Sequence, residues 1–351
     1  MTVEVWAAED TTPADIDAAL RNLLEEQHAR GGSYAPARVI NMVVIVDRAW
    51  RGEIMNRLER VGRYHPSRTI LCAVEDGRTT LDARATISVD STQDPSSISV
   101  VEERVDIRLG PSHLRRLDSI VDPLIVSDLT TLVWAPHGHT EAIDALRGLA
   151  DVVLLDSLDA PDMRSAVQRA CGLADDVYVV DLAWLRSTPW RERIAATFDP
   201  AAWRPALGQI SRVVVRYRPD SAVSAVLLLG WFSSRLGWQP GSLVSQDGRY
   251  HGRASAGKVE VRIDLEPAPE LDPPGLAGIT VETAAGMTLS LDRGPGGLAA
   301  KRHTRDGRES SWVVLGASRG ESGILGEGIR QALLRDPTYI PAVRCAAALL
   351  S

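Results

Sequence analysis

The sequence predicts an α/β N-terminal doubly wound sheet plus a C-terminal α+β domain with an antiparallel sheet. Three observations carry that reading. Val39 to Val46 is a short, nearly continuous apolar run, as in a strand buried on both faces. Strands and amphipathic helices then alternate as far as about residue 200. Beyond Asp199-Pro200 the grammar changes to a run of short strands followed by two helices. At about 150 residues per domain, 351 residues make roughly two domains. The expected division is 1–205 and 206–351.

The first helix starts at Thr12, a capping residue, with Pro13 at a tolerated position and Asp15 in the positive first turn. Ile16, Leu20, Leu23 and Leu24 form its apolar stripe, and Gly31-Gly32-Ser33 ends it. After the Val39 run, Trp50, Ile54, Leu58 and Val61 recur at helical spacing, and Gly62 closes that helix. Thr69 to Val74 is the next strand, so the crossover is right-handed and the pair parallel. Leu81 to Val89 and Ser99 to Leu109 alternate, which predicts an antiparallel extension. Further strands are expected at Thr131 to Trp134, Val152 to Leu155 and Val177 to Val180. Helices fall at Leu114 to Val121, after Thr140, at Met163 to Ala170 and from Trp190 to Thr197.

In the second region Arg212 to Tyr217 is a strand and Asp220 caps an apolar helix. Short strands are expected at Leu243 to His251, Lys258 to Leu265, Gly278 to Thr283, Thr288 to Asp292, Leu298 to Arg302 and Ser311 to Leu315. A stripe of Leu325, Ile329, Ala332 and Leu333 marks one closing helix, and Tyr339, Val343 and Ala347 mark the other.

A net charge of −7 gives no global basic field to recruit nucleic acid or an anionic membrane. Lysine occurs only at Lys258 and Lys301, so the cations are almost all arginine, whose planar fork suits carboxylate and phosphate pairing. Cys72, Cys171 and Cys345 form no metal or disulfide spacing, which predicts reduced thiols and a cytoplasmic location. Met1 to Asp10 is polar and acidic and lacks a signal-peptide pattern. The longest apolar run, Ala222 to Phe232, falls short of the roughly 20 residues a membrane span needs.

An α/β domain invites a search for nucleotide chemistry. No Gly-x-Gly-x-x-Gly follows a strand and no Gly-x4-Gly-Lys-Ser/Thr occurs. Gly294-Pro295-Gly296-Gly297 lies between two short strands and reads as a hairpin turn. Three expected strands end in an aspartate: Asp47, Asp156 and Asp181. Such ends can converge at the crevice of a doubly wound sheet and hold magnesium, although aspartate also suits strand ends and caps in general. His137-Gly138-His139 reads as a polar surface turn, with a metal pair as the alternative. Cys72, inside an apolar strand, is expected to be buried and inert. No Gly-x-Ser-x-Gly elbow appears. No catalytic residue, cofactor or metal is assigned.

The most distinctive segment is Trp50 to Thr69. Arg51, Arg57, Arg60, Arg63 and Arg68 crowd it, with Tyr64, His65 and Ser67 among them. Arginine forks beside a tyrosine suit phosphate binding or a protein interface. A solvated helix face balanced by Glu53 and Glu59 is the alternative for the helical arginines. Read as a surface, the segment predicts that replacing Arg63 and Arg68 together by alanine leaves the melting temperature nearly unchanged.

That segment resembles the OpcA family, the glucose-6-phosphate dehydrogenase assembly proteins. The matching strings are Ala37-Arg38-Val39-Ile40-Asn41-Met42-Val43-Val44, Asn56-Arg57-Leu58 and His65-Pro66-Ser67-Arg68-Thr69. Ser127-Asp128-Leu129-Thr130-Thr131-Leu132-Val133-Trp134 is similar to the family's strand ending in tryptophan, with the departure that Ala135 stands where a second tryptophan is expected. Leu325-Gly326-Glu327-Gly328-Ile329-Arg330 and Arg335-Asp336-Pro337-Thr338-Tyr339 complete the likeness. The resemblance implies a non-catalytic assembly factor and allosteric activator of glucose-6-phosphate dehydrogenase that tunes NADPH supply from the oxidative pentose phosphate pathway. The partner implied is that dehydrogenase; the arginine-rich loop, read as a phosphate site, adds a sugar phosphate as a candidate effector. Arg51, Arg57, Arg60, Arg63, Tyr64, His65, Ser67 and Arg68 are the expected partner- or phosphate-binding surface, with Trp134 secondary. The alternative is a magnesium-dependent sugar-phosphate or nucleotide-binding enzyme using the strand-end aspartates.

Overall fold

Seven consecutive residues, Ile40 to Val46, are buried, as a strand covered on both faces requires. The structure is a computed structural model that describes residues 2–29, 34–35, 38–62, 66–90, 99–294, 296–315 and 320–351. Contacts divide the chain into two compact units. One comprises 1–155, 176–180 and 321–335; the other comprises 156–175, 181–320 and 336–351.

The first strand, β1 (Thr2–Ala8), lies in the segment read from sequence only as a polar, acidic terminus. Its alternation of Val3, Val5 and Ala7 with Glu4 and Trp6 suits an edge strand. Helix α1 (Pro13–Ala29) is capped as expected: Thr12 Oγ1 donates to Asp15 Oδ2 (2.7 Å) and accepts from the Asp15 amide (3.3 Å). Its expected stop at Gly31-Gly32-Ser33 lies outside the described residues.

Strands β2 (Tyr34–Ala35) and β3 (Ile40–Asp47) follow, then a 3₁₀ turn, helix α2 (Arg51–Gly62) and strand β4 (Ser67–Val74). Ile54, Leu58 and Val61 of α2 are buried as their spacing predicts, but Trp50 sits in the 3₁₀ turn and is 47% exposed. Then come β5 (Asp82–Asp90), β6 (Ser99–Leu109), α3 (Leu117–Val121), β7 (Thr130–Trp134), α4 (Thr140–Leu146) and β8 (Val152–Leu155).

Helix α5 (Met163–Ala174) opens the second unit, and β9 (Tyr178–Asp181) completes the first sheet. The order in that sheet is β1-β5-β6-β4-β3-β7-β8-β9, with β2 beside β6. From β6 to β8 the neighbours run parallel, while β5 and β1 add the antiparallel extension. The chain builds outward from β3 through β4 to β6, then restarts at β7 on the other side. The reversal falls between β3 and β7.

The second unit continues through α6 (Leu182–Arg186), α7 (Thr188–Phe198), α8 (Arg204–Leu207), β10 (Ile210–Tyr217) and α9 (Ala222–Leu236). Short β11 (Gln239–Pro240) and β12 (Val244–Gln246) precede β13 (Arg249–Ala256), β14 (Val259–Pro267), β15 (Leu276–Thr283), β16 (Thr288–Gly294), β17 (Gly297–His303) and β18 (Glu309–Leu315). Helix α10 (Gly320–Leu334) groups from residue 321 with the first unit, and α11 (Tyr339–Leu349) with the second.

This second sheet corrects the expectation of a purely antiparallel one. Its order is β11-β13-β14-β10-β15-β16-β17-β18, with β12 beside β13, and β10 pairs parallel with β14 while its other neighbour, β15, is antiparallel. The apolar helix α9 intervenes between β10 and the next strands and lies on β10 and β14, so that connection crosses over. Helices α5, α9 and α11 pack together. The strand expected over Leu243 to His251 is instead a hairpin, because Asp247 and Gly248 take left-handed φ angles of 50° and 75°. Gly294 and Gly297 face each other across the turn that joins β16 to β17, which bears out the hairpin reading of that string. Among the described residues no helix is long and apolar enough to cross a membrane.

Candidate functional site

The parallel strands of the first sheet have two ends, and the sequence candidates divide between them. At the amino ends the side chains are buried and mutually satisfied. Arg68, one residue into β4, is 8% exposed; its Nε donates to Glu103 Oε2 (2.7 Å) and its Nη1 to the Leu124 carbonyl (3.0 Å). Glu103, on β6, is fully buried and takes a second charge-assisted bond from Arg38. Asn41, fully buried in β3, donates Nδ2 to the Val126 carbonyl (2.9 Å) and Thr131 Oγ1 (3.1 Å) and accepts from the Val126 amide (3.0 Å). That one side chain fixes the approach to β7.

The expected arginine surface is therefore not one face. Ser67 and Arg68 lie in β4, and the Arg68 guanidinium is engaged by Glu103. Trp134, 2% exposed at the end of β7, is core. On α2, Arg51 Nη2 reaches Asp106 Oδ1 (2.9 Å), Arg57 pairs with Glu53 one turn back, and Arg60 is exposed in the last turn. Arg63, Tyr64 and His65 lie outside the described residues.

At the carboxyl ends lies the reversal point, where doubly wound sheets bind ligands. Asp47 ends β3, and His139 Nε2 lies 3.0 Å from its Oδ1. Trp50 meets His137 ring to ring at 5.1 Å. The two histidines are delivered by a strained loop: His137, Gly138 and His139 all take positive φ, at 67°, 126° and 55°. Sequence reasoning had Asp47, Trp50 and both histidines as separate features; their pairing follows from β3 and β7 being neighbours. A carboxylate thus occupies the turn where a phosphate-binding sheet presents glycine amides. Among the described residues no group of three or more His, Cys, Asp or Glu side chains could hold a metal.

The other two strand-end aspartates are structural. Asp156 pairs with Arg186 (2.7 Å) and caps the turn at Leu158. Asp181 is 1% exposed and accepts four bonds: from the Ser157 amide (3.1 Å) and hydroxyl (2.6 Å), the Ala183 amide (2.9 Å) and the Tyr339 hydroxyl (3.0 Å). Burial pushes its carboxyl up to about 6, against the pull of these donors. Beside it the Arg191 guanidinium lies 3.5 Å over the Trp184 ring, and burial pulls it down to about 9. Trp184 Nε1 donates to Asp336 Oδ2 (3.0 Å), whose other oxygen takes the Thr338 amide (2.8 Å) and hydroxyl (2.6 Å). The strings that carried the family resemblance thus supply buried junctions: Asn41, Arg68 and Thr131 in one unit, Asp336, Thr338 and Tyr339 in the other.

Fold and site together define a doubly wound α/β unit whose reversal point is furnished with its own acidic and aromatic side chains, joined in one chain to a mixed-sheet unit. Residues 58–171 match the family model described as the glucose-6-phosphate dehydrogenase subunit N-terminal domain, and residues 177–343 match its C-terminal counterpart. The chain belongs to the OpcA family.

The "Putative OxPP cycle protein OpcA" of Synechococcus elongatus is 26% identical over 232 residues, 64% of this chain and 52% of that protein. The protein of the same name from Synechocystis sp. is 26% identical over 242 residues, 67% and 50% of the two chains. The chain spans about half the length of these relatives. An oxidoreductase from Bacillus cereus has a TM-score of 0.48 at 9% identity, over 89% of this chain and 95% of that one; a likeness that faint carries no argument.

Proposed function

We propose that this chain is a non-catalytic partner of glucose-6-phosphate dehydrogenase that favours the enzyme's active assembly and so tunes NADPH supply in the oxidative pentose phosphate pathway. The observation that carries the reading is the match of both family models, each described as a domain of a glucose-6-phosphate dehydrogenase subunit. The reversal point agrees with it. Asp47 opposes an anion there, and the β3–α2 turn, Asp47-Arg48-Ala49-Trp50-Arg51-Gly52, carries no glycine before its helix begins. Exposed Arg60, with half-exposed Arg51 and Arg57, is the basic part of the contact surface.

An activator must bind the active state of its partner more tightly, by about 1–3 kcal/mol for a typical coupling, and substrate must then tighten the complex by the same factor. Titrating the purified chain into the dehydrogenase while following rate, substrate affinity and oligomer size tests this. A saturable, stoichiometric rise in activity is expected. A dehydrogenase unaltered in all three at excess partner overturns the reading.

A further inference from the structure

The acidic charge of this protein is concentrated at one edge. Residues 2–29 hold seven carboxylates and a single arginine, against a net charge of −7 for the whole chain. They form β1 and α1, between which runs an open groove of about 690 Å³. Val5, Trp6 and Leu23 contribute its apolar lining. Glu9, Asp10, Asp15 and Glu26 contribute its charge, and among the described residues no basic side chain lines it. The Thr12 hydroxyl and amide hold Asp15 below the usual carboxylate range, so the groove keeps that charge in mildly acidic solution.

The strand beside the groove is lightly guarded, with Glu4 as its one charged side chain. Among the described strands β1 pairs only with β5, which leaves its outer backbone edge open. Val3 and Val5 are each 45% exposed. Edge strands are ordinarily blunted by lysine, proline or a bulge. The sequence Thr2-Val3-Glu4-Val5-Trp6-Ala7-Ala8 contains neither lysine nor proline, and its register with β5 is unbroken from Thr2 to Ala8. An open edge beside a cleft that takes side chains is the geometry by which sheets accept an added strand.

We infer that β1 and the α1 groove form a docking surface for an extended, basic segment of a partner protein. The segment adds a strand to β1, sets apolar side chains against Val5, Trp6 and Leu23, and places arginine or lysine over Glu9, Asp10 and Glu26. Charge selects this occupant. A second copy of the chain would set one carboxylate-rich edge against another, and anionic lipid or nucleic acid is repelled. Naming the dehydrogenase as the donor of that segment rests on the function proposed above; the basic, extended character of the segment does not.

The test compares the wild-type chain with the variant Glu9→Gln, Asp10→Asn, Glu26→Gln, in which asparagine tolerates the positive φ of 47° at position 10. Binding is measured to glucose-6-phosphate dehydrogenase and to a short peptide alternating arginine and valine, with a glutamate–valine peptide as control. The expected result is that the triple variant, with an unchanged melting temperature, loses at least about tenfold in affinity for both probes. Wild-type binding should weaken as salt rises, and amide exchange should slow along Thr2–Ala8 when the basic peptide is bound. Dehydrogenase binding that the variant retains in full overturns this surface as the enzyme's docking site and leaves the proposed function standing. Binding of the basic peptide alone overturns the dehydrogenase as donor and leaves the surface standing. Failure of the wild-type chain to bind the basic peptide, or equal binding of the acidic control, overturns the docking surface itself.

Discussion

The Tyr339 hydroxyl donates to Asp181 Oδ2 at 3.0 Å, joining the first residue of α11 to a fully buried carboxylate 158 residues earlier. That bond pins the C-terminal helix to the start of α6, whose Ala183 amide Asp181 caps. Replacing Tyr339 by Phe leaves Asp181 with three donors in place of four. Loss of about 1–3 kcal/mol is expected, since the acceptor is charged and shut off from water. Denaturant unfolding measures it; a change within error would mean that Asp181 is satisfied without the tyrosine.

Asp181 also gives stability a pH dependence of known sign. Its carboxyl stands at about 6 in the folded protein against 3.8 for an ordinary aspartate. A raised carboxyl binds its proton more tightly in the folded state. Its contribution is therefore fully present below about pH 4 and is lost as pH rises to about 6. By linkage this amounts to about 3 kcal/mol. Stability of the wild type relative to Asp181→Asn should fall by that order between pH 4 and 6.5 and stay level above. A flat difference across this window contradicts the burial argument.

Arg68→Ala tests the buried ion pair. Among the described residues Glu103 would keep only Arg38 as a cation, in a site with no solvent exposure, and a loss of about 3–5 kcal/mol is expected. Arg60→Ala, on the exposed end of α2, should fall within about 0.5 kcal/mol of wild type. The sequence reading put Arg68 on the surface and foresaw an almost unchanged melting temperature; burial reverses that expectation. Thermal unfolding of the two single variants decides it.

Gly230 lets α9 meet α11 backbone to backbone. A Cβ there would lie 2.1 Å from the Ala342 carbonyl oxygen and 3.0 Å from the Ala346 amide nitrogen. Both obstacles are main chain, so neither can rotate away. Gly230→Ala is expected to cost about 1–3 kcal/mol despite the better helix propensity of alanine. A stabilised variant would show that the two helices separate freely.

Cys72 is fully buried in β4 and its thiol is pushed up to about 12 by burial alone. It should resist alkylation at pH 8 until the chain unfolds. Mass mapping of labelled peptides under native and denaturing conditions checks this. Native labelling of Cys72 would require β4 to open locally.

Much of the architecture was legible in the chain. The runs Val39 to Val46 and Thr69 to Val74 could be buried only as parallel inner strands, and the Thr12-Pro13-Asp15 signature fixed the start of α1. The hairpin between β12 and β13 was legible too, in Asp247-Gly248, a turn signal that the reading of one continuous strand over Leu243 to His251 passed over. The parallel pairing of β10 with β14 was not legible, because alternation along a strand specifies its faces and not its neighbours.

The candidate site divides the same way. Local sequence marked Asp47, His137 and His139 as chemically capable and Arg68 as charged. It could not say that His139 would face Asp47, or that Arg68 would be turned inward onto Glu103. Residue type and periodicity act over a few neighbours, so the sequence by itself determined the elements, their caps and the family. Burial and pairing depend on which distant strand arrives alongside. Only the tertiary structure decided that the family's distinctive polar residues are internal fasteners, and that the open, carboxylate-rich edge lies on β1 and α1.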